Sequence, residues 1–299
     1  MLRGRRKRGV AGFLRSAAGF VLAFVAAIIL AGAVYLAFCF HGRRDPVEQE
    51  LFEGVRYIRT IHSSPRPVVV HLVFIDLMKT NFSFFVTPPD SAMAPKLRAS
   101  TVEHFARKFR MNLAINGNFF QPFHSNSPWD YYPRAGDPVE VLGIAASEGR
   151  RYSTQSWANA TLYISATNTV HIGGTVDAVW NAISGDQWLV KEGKTVAKPD
   201  RFGAYPRAAV ALNQRADTLI LAAVDGKQPG YSEGVTLFEL AEILQSHGTR
   251  DAINLDGGGS VTLVYSGKDG ETKTLNSPIH TRIPGRQRPV ANHLGIRVR

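Results

Sequence analysis

The spacing of apolar and polar positions divides the chain into a leader and a body. Residues 16–40 carry no charge and are rich in Ala, Val, Leu, Ile and Phe. Crossing a hydrocarbon layer takes roughly 20 such residues, so this stretch predicts a transmembrane helix. Beyond it the pattern shortens. The β-branched run from Val68 to Leu77, the stretches Phe82–Thr87, Leu113–Ile115, Val139–Ala146, Ala160–Ser165, Thr169–Ile172 and Ala182–Val190, the pair Ala208–Asn213 and Thr218–Val224, and Val261–Tyr265 read as strands, with a last strand before Val298. Two segments have helical period. Ser100–Arg110 carries a capping box of Ser100 and Glu103, and Thr236–His247 carries one of Thr236 and Glu239 with Gly248 as its stop. Strands outnumber helices without βαβ alternation, so the class is α+β: one β-rich mixed-sheet domain with a few packed helices, preceded by an N-terminal transmembrane helix. The expected organisation is a basic tail over 1–15, a signal-anchor over 16–40, a stalk and first strand over 41–67, and a catalytic or binding domain over 68–299.

Two polar corners interrupt this pattern. Asp251-Ala-Ile-Asn-Leu-Asp-Gly-Gly-Gly-Ser260 delivers Asn254 and Asp256 from a short buried strand into three glycines. Consecutive glycines let backbone N–H groups point one way and let a ligand approach bare backbone, so the corner can hold an anion, a sugar or a metal. Asn116-Gly-Asn-Phe-Phe120 places two amides beside two aromatics, a set suited to sugar hydroxyls and a ring face. Either stretch alone also fits an ordinary turn. The loop after it carries Trp129, Tyr131 and Tyr132, and loops of that length line or cover sites. His71, inside an apolar run, reads as a core histidine.

Composition adds exclusions. The net charge of +11 suggests nucleic acid until Arg3, Arg5, Arg6, Lys7, Arg8 and Arg15 are removed, which leaves +5 without a long basic run. Nucleic-acid binding therefore has no footprint. The same six charges, before the apolar stretch, keep the N-terminus cytoplasmic and put the body outside the cytoplasm, outnumbering Arg43 and Arg44 beyond it. Ala31-Gly-Ala33 leaves a cleaved signal open, although the apolar run continues past it. Cys39 is the single cysteine, so no intrachain disulfide and no cysteine zinc cluster can form. Phe38 before it disfavours a lipoprotein site.

Ala114-Ile-Asn-Gly-Asn-Phe-Phe120, Tyr205-Pro-Arg-Ala208, Val224-Asp-Gly-Lys227, Ser232-Glu-Gly-Val-Thr236, Asn254-Leu-Asp-Gly-Gly-Gly-Ser260 and Arg288-Pro-Val-Ala-Asn292 together resemble the phosphodiester glycosidase family, in order, over about Val68 to Val298. The chain departs from the family's usual Asn-Gly-Gly-Phe-Phe at Asn118 and from its small hydroxyl residue after the arginine at Ala208. The resemblance implies hydrolysis of a sugar-1-phosphodiester, for which the leaving phosphate needs little protonation and the ring needs a nearby carboxylate. Asp256 is the implied base or nucleophile, with Glu233 and Asp225 in reserve. Arg207 is the implied phosphate clamp, because a guanidinium forks onto phosphate oxygens, aided by the amides of Gly257, Gly258 and Gly259. Asn116, Asn118, Phe120, Asn254, Ser260 and Arg288 complete the substrate-binding set, and His293 is a supporting group.

Other readings stay open at this level. Arg207 could serve a structural ion pair, and Asp225-Gly226 could be only a turn. No cofactor is expected, although Asp225, Asn254 and Asp256 could form an oxygen-rich site for a divalent cation, with cleavage at phosphorus. A sugar-binding module without turnover, serving exopolysaccharide or envelope assembly, is the alternative from another class.

Overall fold

The computed structural model describes residues 3–39, 45–90, 96–154, 160–174, 179–199, 203–267 and 270–298. The chain divides into two compact units, residues 1–42 and 43–299. The first is helix α1, Arg3–Cys39, within which Ala17–Leu36 is long and apolar enough to cross a membrane. Phe40, Arg43 and Arg44, which entered the reading of the leader, lie outside the described residues.

The second unit is built on an eight-stranded sheet. Its order is Val47–Phe52, Val55–His62, Val68–Asp76, Thr218–Val224, Arg207–Asn213, Thr249–Asn254, Gln187–Lys191 and Lys194–Thr195. Thus the segment expected as a stalk and a first strand contributes a two-stranded hairpin, Val47–Phe52 with Val55–His62, to the sheet edge. A five-stranded sheet runs Thr272–Thr274, Leu263–Ser266, Leu113–Asn116, His293–Val298 and Phe82–Val86. Another runs Arg150–Thr154, Ile144–Ser147, Asn181–Gly185, Ala160–Ile164 and Val170–Ile172. Every ladder among the described strands is antiparallel, and parallel pairing is confined to the isolated bridge Ile279–Arg286.

The large sheet is covered on both faces, which is why Val68–Asp76 is nearly continuous in apolar residues rather than alternating with polar ones. Val73 and Ile75 face the central core, where they meet Leu113, Ile115, Leu294 and Ile296 of the second sheet and Leu162 and Ile183 of the third. Val70 and Leu72 face the other way, against helix α3, Leu237–Ser246, through its Leu237, Leu240, Ala241 and Leu244. Small residues beneath that helix, Ala209, Ala211, Ala222 and Ala252, let it approach closely. Its capping box is formed as expected, with the Thr236 hydroxyl accepting from the Glu239 N–H and the Glu239 carboxylate accepting from the Thr236 N–H. Helix α2, Val102–Phe109, packs on the second sheet through Val102, Phe105 and Ala106. Its N-cap is Thr101, which accepts from the His104 N–H, and not Ser100. Ser100 is occupied instead by a backbone bridge to Val290.

Two stretches that read as single strands are broken where they change sheet or partner. Ala182–Val190 splits into Asn181–Gly185 in the third sheet and Gln187–Lys191 in the large one, leaving Asp186 at the crossing. Val139–Ala146 splits around Gly143 into Pro138–Val141 and Ile144–Ser147. The glycine corner does the same: Thr249–Asn254 belongs to the large sheet and Leu263–Ser266 to the second, joined through a short 3-10 turn at Gly258–Ser260.

Candidate functional site

The corner after Asn254 is clamped from two sides. Asn116 donates from Nδ2 to the Asp256 carbonyl at 2.7 Å and accepts the Thr262 N–H on Oδ1 at 3.1 Å, while the Asp256 N–H donates to the Gly117 carbonyl at 3.2 Å. On the other side the Leu255 N–H donates to the Ala208 carbonyl and the Gly258 N–H to the Pro206 carbonyl, each at 2.8 Å. These two bonds bracket Arg207 and Asp256, so side chains 49 positions apart in sequence lie on neighbouring strands' ends. Arg207 is steadied by its Nε, which donates to the Val235 carbonyl at 3.2 Å.

Asp256 is 9% exposed. Burial pushes its carboxyl up to about 6, against the opposing pull of Arg288, the Ser260 hydroxyl and the Gly257 N–H, with Asp186 adding a smaller upward push. Arg288 donates from Nη1 to Ser260 Oγ at 3.0 Å and from Nε to His280 Nδ1 at 3.3 Å, and its guanidinium lies 4.4 Å from the Phe123 ring centroid. A side chain at position 259 would put a Cβ 2.6 Å from Arg288 Nη2, so the glycine there makes the room the guanidinium occupies.

Further cations share the field of Arg288. Lys227 sits 4.3 Å over the Tyr205 ring, and its pKa is pushed down by partial burial and by Arg288, Arg282 and Arg207. Lys227, Thr281 and Arg282 all hold left-handed backbone conformations, with φ of 57°, 52° and 63°. That region is sparsely used by side-chain-bearing residues, above all β-branched ones, and such strain gathers at functional sites. The long loop is stapled alongside: Arg286 donates to the Tyr131 hydroxyl at 2.9 Å and to the Pro128 carbonyl at 3.0 Å, and Tyr131 packs edgewise on His280.

The other residues named from the sequence have different surroundings. Asn118 is saturated: its Nδ2 serves the Leu142 and Ile144 carbonyls, and its Oδ1 accepts from the Ser184 N–H and Asn292 Nδ2. The asparagine by which the chain departs from the usual glycine is therefore a joint between two sheets. Phe120 is buried and touches Phe123 edge to face, so Phe123, 46% exposed, is the aromatic that meets the arginine. Asn254 donates from Nδ2 to Asp186 Oδ1 at 2.8 Å, and its own buried Oδ1 has no partner. Asp225 is wholly buried. Its Oδ2 accepts from His71 Nε2 and the Tyr231 hydroxyl, and its Oδ1 from the Ser277 N–H and Asn276 Nδ2. Burial raises that carboxyl, yet the His71 charge and these bonds outweigh it and leave the pKa lowered. Glu233 is exposed, with its N–H donating to the Pro67 carbonyl and its carbonyl accepting the Lys227 N–H. Of the three glycine amides, that of Gly258 is spent on Pro206 and that of Gly257 on the Asp256 carboxyl. His293 is buried, accepting or donating between Thr87 and the Ser100 carbonyl, and stacks on Phe105. Two open surface clefts, one lined by Arg56, Phe74 and His247 and the other by His104, Phe105 and His293, share no residue with the Asp256 cluster.

The phosphodiester glycosidase family matches residues 109–297, which span every corner assembled above. The chain belongs to the phosphodiester glycosidase family. It is similar to N-acetylglucosamine-1-phosphodiester alpha-N-acetylglucosaminidase of Bos taurus, 30% identical over 237 residues that cover 70% of this chain and 42% of that protein. The chain thus spans about two fifths of the length of this curated relative. In fold it is similar to the catalytic domain of the zebrafish protein of that name, auto-inhibited by its pro-peptide, with a TM-score of 0.58 at 22% identity, covering 85% of this chain and 88% of that one. A hypothetical protein from Synechocystis gives a TM-score of 0.64 at 17% identity, covering 86% of this chain and 64% of the other. At these identities the two structures speak for the fold alone.

Beyond the family's motifs, the structure brings three residues to the cluster that the motifs do not contain: Asp186, Phe123 and His280. Asp186 is held by Asn254, and burial raises its pKa against the bond from Asn254 and the charge of Arg207. Its sequence signal is Gly185, where a Cβ would fall 2.2 Å from the Asn254 carbonyl oxygen, a contact backbone cannot yield to. Among the described residues no three His, Cys, Asp or Glu side chains converge as a metal-binding group. The set considered for a cation is divided, since Asp225 faces His71 while Asn254 faces Asp186.

Proposed function

We propose that this chain is a hydrolase that cleaves the glycosidic bond of a sugar-1-phosphodiester, anchored in a membrane by residues 16–40 with its catalytic unit outside the cytoplasm, in envelope or polysaccharide metabolism. The observation that carries the reading is a buried carboxyl raised to about 6, Asp256, beside the Arg288–Ser260 pair and bracketed with Arg207. A base is most effective when its pKa lies near the working pH, and near neutrality Asp256 is mostly ionised while remaining basic enough to take a proton.

In the proposed step the bond between the anomeric carbon and the phosphate oxygen breaks, and its electron pair leaves with the phosphate. A water oxygen bonds to the carbon and gives a proton to Asp256. Positive charge developing on the ring faces the carboxylate, and negative charge on the phosphate faces Arg207, Lys227 and Arg288. Phe123, exposed at the cluster, offers a face for the sugar ring. Asp186 is a second carboxyl for the sugar or the water, with Asn254 orienting it. Asn116 and Asn118 act as positioning residues, since their amides are engaged within the protein. Asp225, with four donors on its two oxygens, acts as a structural joint. The step uses water and these side chains.

Turnover in 18O-labelled water tests the reaction. Label on the released sugar, absent from the phosphate, is expected; label on phosphate would mean cleavage at phosphorus and overturn the reading. Binding of the diester without release of free sugar would leave a binding module in its place.

A further inference from the structure

His280 is 1% exposed, and it stands outside the roles assigned so far. Three contacts fix the Arg288 guanidinium: Nη1 donates to Ser260 Oγ, its carbon lies over the Phe123 ring, and Nε donates to His280 Nδ1. An arginine nitrogen only donates, so Nδ1 must accept, and the single ring proton belongs on Nε2. That Nε2 is buried and has no nitrogen or oxygen partner. A buried donor left unpaired costs stability. A phenyl ring would avoid that cost but would leave the Arg288 Nε–H without its acceptor, so what the histidine contributes here is Nδ1. Its backbone is held as well: the Thr281 hydroxyl donates to the His280 carbonyl at 2.7 Å and accepts from Arg286 Nη1 at 2.8 Å, with Thr281 in the strained left-handed region.

We infer that His280 is a positioning residue, whose Nδ1 accepts from Nε and so fixes the Arg288 guanidinium against Ser260, beside Asp256. The inference deepens the glycosidase reading and rests on it for its consequence in turnover, while the contact itself can be read without turnover.

The groups facing each partner support the direction of coupling. His280 meets Arg288, Arg286 and Tyr131. Burial and the two arginines hold it down to about 3, so it stays a neutral acceptor across the working range. Asp256 meets Arg288, Ser260, the Gly257 N–H and Asp186, and of these Arg288 is the strongest influence favouring the carboxylate. Arg288 in turn has Lys227 in its field. Releasing Nε lets the guanidinium turn away from Ser260, and Asp256 then loses its main counter-charge.

The full chain, labelled with 13C at the aspartate carboxyl carbon and held in detergent micelles, gives the test. The Asp256 resonance is identified by its loss in Asp256→Asn, and its titration midpoint is followed in wild type, His280→Asn and His280→Phe. Asn sets an amide oxygen near the place of Nδ1 and keeps an acceptor; Phe keeps the ring and offers none. The midpoint is expected to rise by about one pH unit in His280→Phe and to stay at the wild-type value in His280→Asn. Loss of sugar release should follow the same shift, about tenfold at pH values below the midpoint. An unmoved midpoint in His280→Phe, or equal movement in both variants, overturns the inference. Should His280→Phe not fold, His280→Gln, whose amide reaches toward Nε2 and leaves Nδ1 without a substitute, carries the same expectation. A shifted midpoint in a protein that releases no sugar would leave the positioning role standing and overturn the glycosidase reading. Sugar release with an unmoved midpoint would do the reverse.

Discussion

Asp256 and Asp225 are both buried carboxyls with opposite consequences. For Asp256 the folded pKa of about 6 lies above its ordinary 3.8, so the fold favours the protonated form. The stability it contributes is full below pH about 4 and is lost as pH rises through about 6, a difference of about 3 kcal/mol at neutrality. Asp256→Asn should therefore raise the unfolding free energy at pH 7.5 by up to about 3 kcal/mol while abolishing sugar release. Thermal melts of the two proteins should converge near pH 4. A variant no more stable than wild type at pH 7.5 would contradict the burial argument. In wild type, kcat/KM should fall about tenfold per pH unit below 6, as the base is protonated. For Asp225 the pKa is lowered, so its contribution is present above pH about 4 and lost as pH falls. In an asparagine one of the two carboxylate oxygens becomes an NH2 donor, so two of the four donors that Asp225 serves lose their acceptor and the His71 pairing loses its charge. Asp225→Asn is expected to cost about 3–5 kcal/mol in denaturant unfolding, as broken buried pairs do.

At the scale of elements, the site is made where strands change sheets. Asp186 and Asp256 each follow a strand that ends as the chain crosses to another sheet, and Gly185 lies against the Asn254 carbonyl to bring the two crossings together. Gly185→Ala should destabilise the unit by about 1–3 kcal/mol through overpacking, and it should lower sugar release further than stability accounts for, because both carboxyls move. Equal activity per folded molecule would separate Asp186 from the site. The α3 cap offers the contrast: Thr236→Ala should cost about 1 kcal/mol in stability and leave KM unchanged. In the sequence these elements were legible unequally. The Thr236–Glu239 box is local and was readable as written. The cap of α2 falls on Thr101 because Ser100 is drawn into a bridge with Val290, a partner 190 positions away. Ala182–Val190 read as one strand because apolar residues flank Ser184-Gly-Asp186 on both sides, and only the competing sheets break it.

At the scale of the molecule, Arg207 acts on Asp186 and Arg288 on Asp256, two carboxyls whose pKa values burial raises, and Lys227 and Arg282 share the field of these arginines. A field of that sign draws an anionic diester and is screened by salt. Raising ionic strength from about 0.05 to about 0.5 M should increase KM several-fold with little change in kcat; a salt-insensitive KM would mean the phosphate binds elsewhere. Helix α1, with Ala17–Leu36 apolar throughout, carries the anchoring proposal. The full chain should remain in the membrane pellet after an alkaline carbonate wash, and release into the supernatant would count against an uncleaved anchor.

The chain's order alone determined the apolar leader, the strand-rich α+β character, the two glycine-and-asparagine corners and the family, because each rests on residues within a few positions or on motifs in a fixed order. Which polar groups face a ligand was decided only by the tertiary structure. Asn118 and Asp225 carry the same side-chain chemistry as binding residues, yet long-range partners consume their hydrogen-bonding capacity. Asp186, Phe123 and His280 enter the site through contacts with Asn254 and Arg288, at separations of 68, 165 and 8 positions. Hydrogen bonding and desolvation depend on what surrounds an atom in space, and that neighbourhood exists only once the sheets have packed.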